Sequence, residues 1–240
     1  MSDKKKLGIV GGMGSRAGVF LLQKVIDYSP AEKDQEFLEI IFHNNADIPD
    51  RTRAIINNEA SPVNAILKSI EFFNDNQVEV IVLACITSYF YFNQISACTS
   101  AHIVNPLTLI SKSIINNYPG TKRIGVLATT GTLNSRMFHN ELGRAGFEVI
   151  TLDAPDQENV FMRSIYMKNG FKSACISPDA KVLMHQSFQM LKAKNVDIII
   201  GGCTEISVAV SSIPTVISDI AFIDMLDLLA INTVNFCYNR

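Results

Sequence analysis

Val78-Glu79-Val80-Ile81-Val82-Leu83-Ala84-Cys85 returns 118 residues later, from Cys85 to Cys203, as Val196-Asp197-Ile198-Ile199-Ile200-Gly201-Gly202-Cys203. Each copy is a short run of β-branched and aliphatic residues without polar alternation, the pattern of a strand buried on both faces. An earlier strand repeats as well. Lys6-Leu7-Gly8-Ile9-Val10 is similar to Arg123-Ile124-Gly125-Val126-Leu127 at an offset of 117, from Gly8 to Gly125. Further apolar runs at 37–42, 102–104, 147–152 and 215–217 alternate with amphipathic stretches at 18–28, 62–74, 107–117, 134–146 and 179–194. Ser61-Pro62 and Ser177-Pro178-Asp179 read as helix starts. The alternation predicts an α/β protein with parallel sheets. The repeat predicts two similar lobes, 1–112 carrying Cys85 and 113–212 carrying Cys203. Residues 213–240 form a closing strand and helix, the helix over 221–237, packing back on the first lobe.

Composition bounds the function. The chain has 240 residues, 48% hydrophobic and 18% charged, which excludes disorder and suits packed globular lobes. Its 21 basic and 23 acidic residues leave a net charge of -2, too small a field to hold nucleic acid or an anionic membrane. No apolar run approaches the roughly 20 residues that cross a bilayer. The start MSDKKK is basic, but residues 7–10 run at once into glycines, so no secretory segment is expected and the cytoplasm is the expected location. Five cysteines, an odd number without a C-x-x-C pair, argue against a disulfide framework, and the four histidines share no metal-ligand spacing with them. No structural metal is expected, and the partner expected is a small molecule.

Cys85 and Cys203 each follow an apolar strand and precede a helix, which places them at the carboxyl edge of a parallel sheet, where open α/β folds bind ligands. A single cysteine there is most often a small buried hydrophobe. Packing gives no reason for thiols to recur at equivalent strand ends, so the pair points to chemistry. Two thiols facing one another across a cleft between the lobes suit removal of a proton from one face of a carbon and its return to the other, which is racemisation or epimerisation. Gly11-Gly12-Met13-Gly14 carries a weak dinucleotide pattern, but the second strand ends in Phe42-His43-Asn44-Asn45 without the acidic residue that a ribose requires. The glycines, Gly12 among them, instead suit close approach of backbone N–H groups to a small carboxylate. In the loop Asp47-Ile48-Pro49-Asp50-Arg51-Thr52-Arg53, either arginine is placed to grip a carboxylate.

Together with Ile48-Pro49-Asp50-Arg51-Thr52, Leu127-Ala128-Thr129-Thr130-Gly131-Thr132, Ile165-Tyr166 ahead of Gly170-Phe171-Lys172, and Gly201-Gly202-Cys203-Thr204-Glu205, the glycine segment resembles the aspartate/glutamate racemase superfamily, in its aspartate racemase branch. The likeness spans nearly the whole chain. It implies flavodoxin-like lobes related by a pseudo-two-fold axis, a cofactor-independent two-base reaction, a small acidic amino acid as substrate, and a homodimer. Residue by residue, it implies Cys85 and Cys203 as the catalytic pair. Thr87 and Thr204 lie beside the α-carboxylate, Arg51 and Lys172 clamp the acidic side chain, and Gly12, Met13, Thr130 and Glu205 complete the substrate-binding set. One motif departs: Cys85-Ile86-Thr87-Ser88-Tyr89 stands where the family reads Cys-Asn-Thr-Ala-His. Tyr89 then offers a hydroxyl to substrate or Cys85 in place of the imidazole. Two alternatives accompany this reading, a related decarboxylase or isomerase of a small dicarboxylate, which needs one thiol only, and a lapsed enzyme that binds an amino acid.

Overall fold

The computed structural model describes residues 4–239 and divides into two compact units, one running up to Asn105 and resuming at Leu226, the other Pro106–Met225. Each unit is built on a four-stranded, wholly parallel sheet. The first contains β1 (Leu7–Gly11), β2 (Ile40–Asn44), β3 (Val80–Leu83) and β4 (His102–Ile103) in the order β2-β1-β3-β4. The second contains β5 (Arg123–Leu127), β6 (Glu148–Ile150), β7 (Ile198–Gly201) and β8 (Ala221–Asp224) in the order β6-β5-β7-β8. The repeated runs are the central strands, and they are fully buried at Val80–Leu83 and Ile198–Ile200, as strands covered on both faces must be.

The repeat reaches into the packing. Gly8 lies opposite Ile81 and Gly125 opposite Ile199, and each glycine makes room for a side chain of the helix laid over its sheet. A β-carbon on Gly8 would stand 2.8 Å from the Phe73 ring, and one on Gly125 would stand 2.8 Å from a Leu191 methyl. Phe73 belongs to the helix Val63–Asp75 and Leu191 to the helix Pro178–Lys192. The carboxylates that open the second repeated run also correspond. Glu79 accepts the backbone N–H of Lys6 at 3.0 Å, and Asp197 accepts those of Lys122 and Arg123 at 2.8 Å each, tying the foot of the central strand to its neighbour.

Helix starts follow the chemistry of their first residues: the Ser177 hydroxyl accepts the Ala180 N–H with Pro178 in the first turn, and Asp50 caps Arg51–Asn57 by accepting the Arg53 N–H. Several expectations are corrected. Residues 215–217 are not a strand but part of the 3-10 turn Pro214–Ile217, where proline has no N–H to give a ladder. The strand lies at Ala221–Asp224, where Phe222 and Ile223 complete the second sheet beside β7, so the closing helix is Met225–Cys237 rather than 221–237. The closing strand therefore joins the second unit, and only the helix joins the first, where Asp227 accepts from Lys24 Nζ at 2.6 Å and Tyr28 at 2.7 Å. The helix Leu107–Asn117, through which the expected lobe boundary at 112 runs, lies wholly in the second unit, where Ser111 donates to Glu141. The helix expected at 134–146 is two, Thr130–Asn134 and Met137–Arg144, parted by Arg136 in a left-handed conformation (φ 57°).

Among the described residues, no helix is long and apolar enough to cross a membrane. The first three residues of the basic start, which bear on the question of a leader, lie outside the described residues.

Candidate active site

In the first unit, β1 and β3 end side by side, since the Ala84 N–H donates to the Val10 carbonyl at 2.9 Å. The turn after β1 and the turn after β3 therefore share one edge. Gly12 holds φ +85°, and a β-carbon there would lie 2.1 Å from the Asn45 carbonyl oxygen, so this turn presses against the chain leaving β2 in a way only glycine permits. Met13 follows, buried. Cys85, also buried, precedes the 3-10 helix Ile86–Tyr91, which carries Thr87 in its first turn, and the Ser88 hydroxyl donates to the Cys85 carbonyl at 2.6 Å.

Arg51 is the arginine that turns inward, 5% exposed, while Arg53 points to solvent. The Arg51 guanidinium donates to the carbonyls of Met13 at 2.7 Å, Pro49 at 2.9 Å and Ile48 at 3.3 Å. It thus locks the loop after β2 onto the turn after β1. Tyr89 does not stand in for an imidazole facing a ligand. Its hydroxyl donates to the Val104 carbonyl at 2.9 Å and accepts the Leu83 N–H at 3.2 Å, bridging the ends of β3 and β4 inside the core. Burial drives the phenol far above its ordinary pKa, outweighing the Leu83 hydrogen bond, so it is neutral throughout the physiological range. Ile86 is buried in the same core.

In the second unit the Gly202 N–H donates to the Leu127 carbonyl at 2.7 Å and brings the turns after β5 and β7 together. Cys203 precedes the helix Thr204–Ser212, whose first turn carries Thr204 and Glu205. The buried Glu205 carboxylate gathers the site: the Cys203 thiol donates to Oε2 at 2.9 Å, the Thr204 hydroxyl to Oε2 at 3.4 Å, and Lys172 Nζ lies 3.0 Å from Oε1. Burial opposes the charged carboxylate, but Lys172 and the thiol outweigh it and hold Glu205 below the ordinary carboxylate range. Burial, followed by the Glu205 charge and hydrogen bond, pushes the Cys203 thiol well up, against a weaker pull from Lys172. Lys172 also lies 5.4 Å from the centre of the Tyr166 ring.

Thr130 opens its helix under a capping Thr129 and donates to Glu158, while its own N–H reaches Met162 Sδ at 3.4 Å. Gln157 donates to the Ala128 carbonyl at 2.9 Å and to the Thr130 hydroxyl at 3.4 Å. Gln157, Glu158 and Met162 all lie on one π-helical turn, Gln157–Met162. Sequence reasoning gave no role to these three: a π turn widens the helix locally and has no periodicity to read. All five cysteines are free, and among the described residues no cluster of three or more His, Cys, Asp or Glu is placed to hold a metal ion.

Each sheet thus brings its own set to its carboxyl edge: Gly12, Met13, Arg51, Cys85 and Thr87 in one unit, and Thr130, Lys172, Cys203, Thr204 and Glu205 in the other. Against that arrangement, the profile of the Asp/Glu/hydantoin racemase family matches residues 10–231. The chain belongs to this family. It is 26% identical over 235 residues to the broad specificity amino-acid racemase RacX of Bacillus subtilis (strain 168), covering 95% of this chain and 96% of that protein. The aspartate racemase of Picrophilus torridus superposes with a TM-score of 0.81 at 26% identity, over 97% of this chain and 94% of that one. Glutamate racemase isoform RacE1 of Bacillus anthracis, 18% identical, superposes at 0.71 over 99% of this chain and 83% of its own, a likeness of fold.

Proposed function

We propose that the chain racemises a small amino acid without a cofactor, with Cys85 and Cys203 as the two acid–base groups. The observation that carries this reading is the recurrence of a buried thiol just past the carboxyl end of the same central strand of both sheets, each directly before a helical turn. One thiolate takes the α-hydrogen as a proton. The other group, a thiol, returns a proton to the opposite face, and the roles exchange in the reverse reaction. Thr87 and Thr204, one residue or two beyond their cysteines, hold the α-carboxylate. Gly12 and Met13 bring backbone to the substrate.

An acidic side chain has Arg51 and Lys172 as its clamp in this reading. Both cations are engaged by groups of the chain itself, Arg51 by three carbonyls and Lys172 by Glu205. An acidic substrate must compete for them, whereas a neutral one need not. That supports a second reading in which neutral amino acids are accepted alongside aspartate and glutamate. Incubation with single L-amino acids in deuterated water tests both. The expected result is α-deuterium together with the D-enantiomer, in acidic and in neutral members of the panel. Loss of carbon dioxide, with deuterium taken up by the decarboxylated product and none at the α-carbon of recovered substrate, favours a decarboxylase, and binding without any exchange favours a lapsed enzyme.

A further inference from the structure

We propose that Glu205, charge-compensated by Lys172, is a positioning residue that keeps Cys203 in its thiol form, so that Cys203 is the proton donor of the resting enzyme. The inference rests on the reading of Cys203 as one of two acid–base thiols, and it reassigns Glu205 from touching substrate to acting through the sulfur.

The geometry argues for it. Cys203 stands at the cap of a nine-residue helix, a position that ordinarily favours thiolate through the helix dipole. Two residues on, the same helix places a full negative charge 2.9 Å from the sulfur, in a position that water does not screen, since Cys203 and Glu205 are 5% and 3% exposed. A full charge in contact outweighs the half charge of a dipole. The carboxylate can also only accept, so the sulfur must keep its proton to make the bond. Lys172, 3.0 Å away on the other oxygen, is what allows Glu205 to stay ionised while buried. The charged groups acting on the thiol are therefore Glu205 and, more weakly, Lys172, and the burial of the sulfur works in the same direction as Glu205.

The proton balance follows. In the direction that begins with this state, the Cys85 sulfur forms an S–H bond as the α-C–H bond breaks. Cys203 S–H then breaks as the new C–H bond forms on the opposite face. The thiolate left on Cys203 faces the Glu205 carboxylate, which makes it a strong base for the reverse step.

The test is the pH dependence of iodoacetamide alkylation at Cys203, followed by the mass of the peptide that contains it. Alkylation follows the thiolate fraction. In Glu205→Gln the pH of half-maximal rate is expected to fall by about one unit or more, so that the rate near neutrality rises about tenfold or more. In Glu205→Asp, whose carboxylate draws back from the sulfur by one methylene, the midpoint is expected between the two. A role confined to packing changes the rate at all pH values alike and leaves the midpoint in place. A wild-type midpoint in either folded variant overturns the proposal. The titration needs no turnover, so it decides the role of Glu205 even where α-hydrogen exchange fails and the racemase reading falls.

Discussion

Tyr89 and Arg51 are the two residues where placement changes the meaning of a motif. Tyr89 spends both hydrogen-bonding capacities of its hydroxyl on the Leu83 N–H and the Val104 carbonyl, both buried at the ends of β3 and β4. Tyr89→Phe removes the oxygen and strands both backbone groups, an expected cost of about 1–3 kcal/mol, readable by thermal or urea unfolding. An unchanged midpoint would show that water replaces the phenol. Arg51→Ala strands three carbonyls in the loop after β2 and the turn after β1. It is therefore expected to lower the melting temperature as well as activity, whereas Arg53→Ala, at a solvated position, is expected to leave stability within about 0.5 kcal/mol. Loss of activity in Arg51→Ala with a wild-type melting temperature would confine that arginine to substrate contact.

At the scale of elements, the repeat makes paired predictions. Gly8→Ala and Gly125→Ala place a methyl against Phe73 and Leu191, both fully buried, so that a packed side chain must shift to admit it. Overpacking of this kind costs about 1–3 kcal/mol, and both variants are expected to unfold at lower denaturant than the parent. Wild-type stability in either would mean that the covering helix slides freely on its sheet. At the foot of β7, the backbone N–H groups of Arg123 and Lys122 hold the Asp197 carboxyl below its usual range, outweighing a small opposing effect of burial. A carboxyl whose folded pKa is depressed contributes stability above its unfolded value near 3.9, and that contribution is lost as pH falls through the folded value. Asp197→Asn is accordingly expected to be less stable than the parent at neutral pH, by less than about 1 kcal/mol for so exposed a group, with the gap closing in acid. A gap that persisted or widened on acidification would contradict the assignment.

For the molecule as a whole, the proposed reaction asks for one thiol from each unit. Cys85→Ser and Cys203→Ser change one buried atom each and are expected to leave both units folded. Each is expected to lower racemisation by about 3 orders of magnitude or more, on the scale of a lost acid–base group. Because the proposed reaction has the two act on one carbon, the double variant is expected to be little worse than either single one. Near-normal racemisation in either single variant would leave only a one-thiol reaction. The exchange of hydrogen in deuterated water, measured on both enantiomers, is the direct readout.

The sequence by itself determined the strand periodicity, the alternation with helices, the duplication at Cys85 and Cys203, and the family motifs, because each is carried by spacing along the chain. The strands at 6–10, 78–83, 123–127 and 196–200 are legible for that reason, being apolar runs whose charged residues stand only at the first or second position. The strand at Ala221–Asp224 was not legible, since Thr215-Val216-Ile217 is the more β-branched of the two segments, and only the open edge of β7 decides which one pairs. The membership of the helix Leu107–Asn117 and the closing strand was likewise set by packing partners distant in sequence. Of the site, sequence could name residues but not their orientation. Arg51 and Arg53 differ by two positions on one short helix, and only the Met13 carbonyl within reach selects Arg51. Glu205 could be read as part of a motif, but its effect on Cys203 requires a shared buried contact with Lys172, 33 residues earlier, and charge interactions at that range exist only once the chain has excluded water.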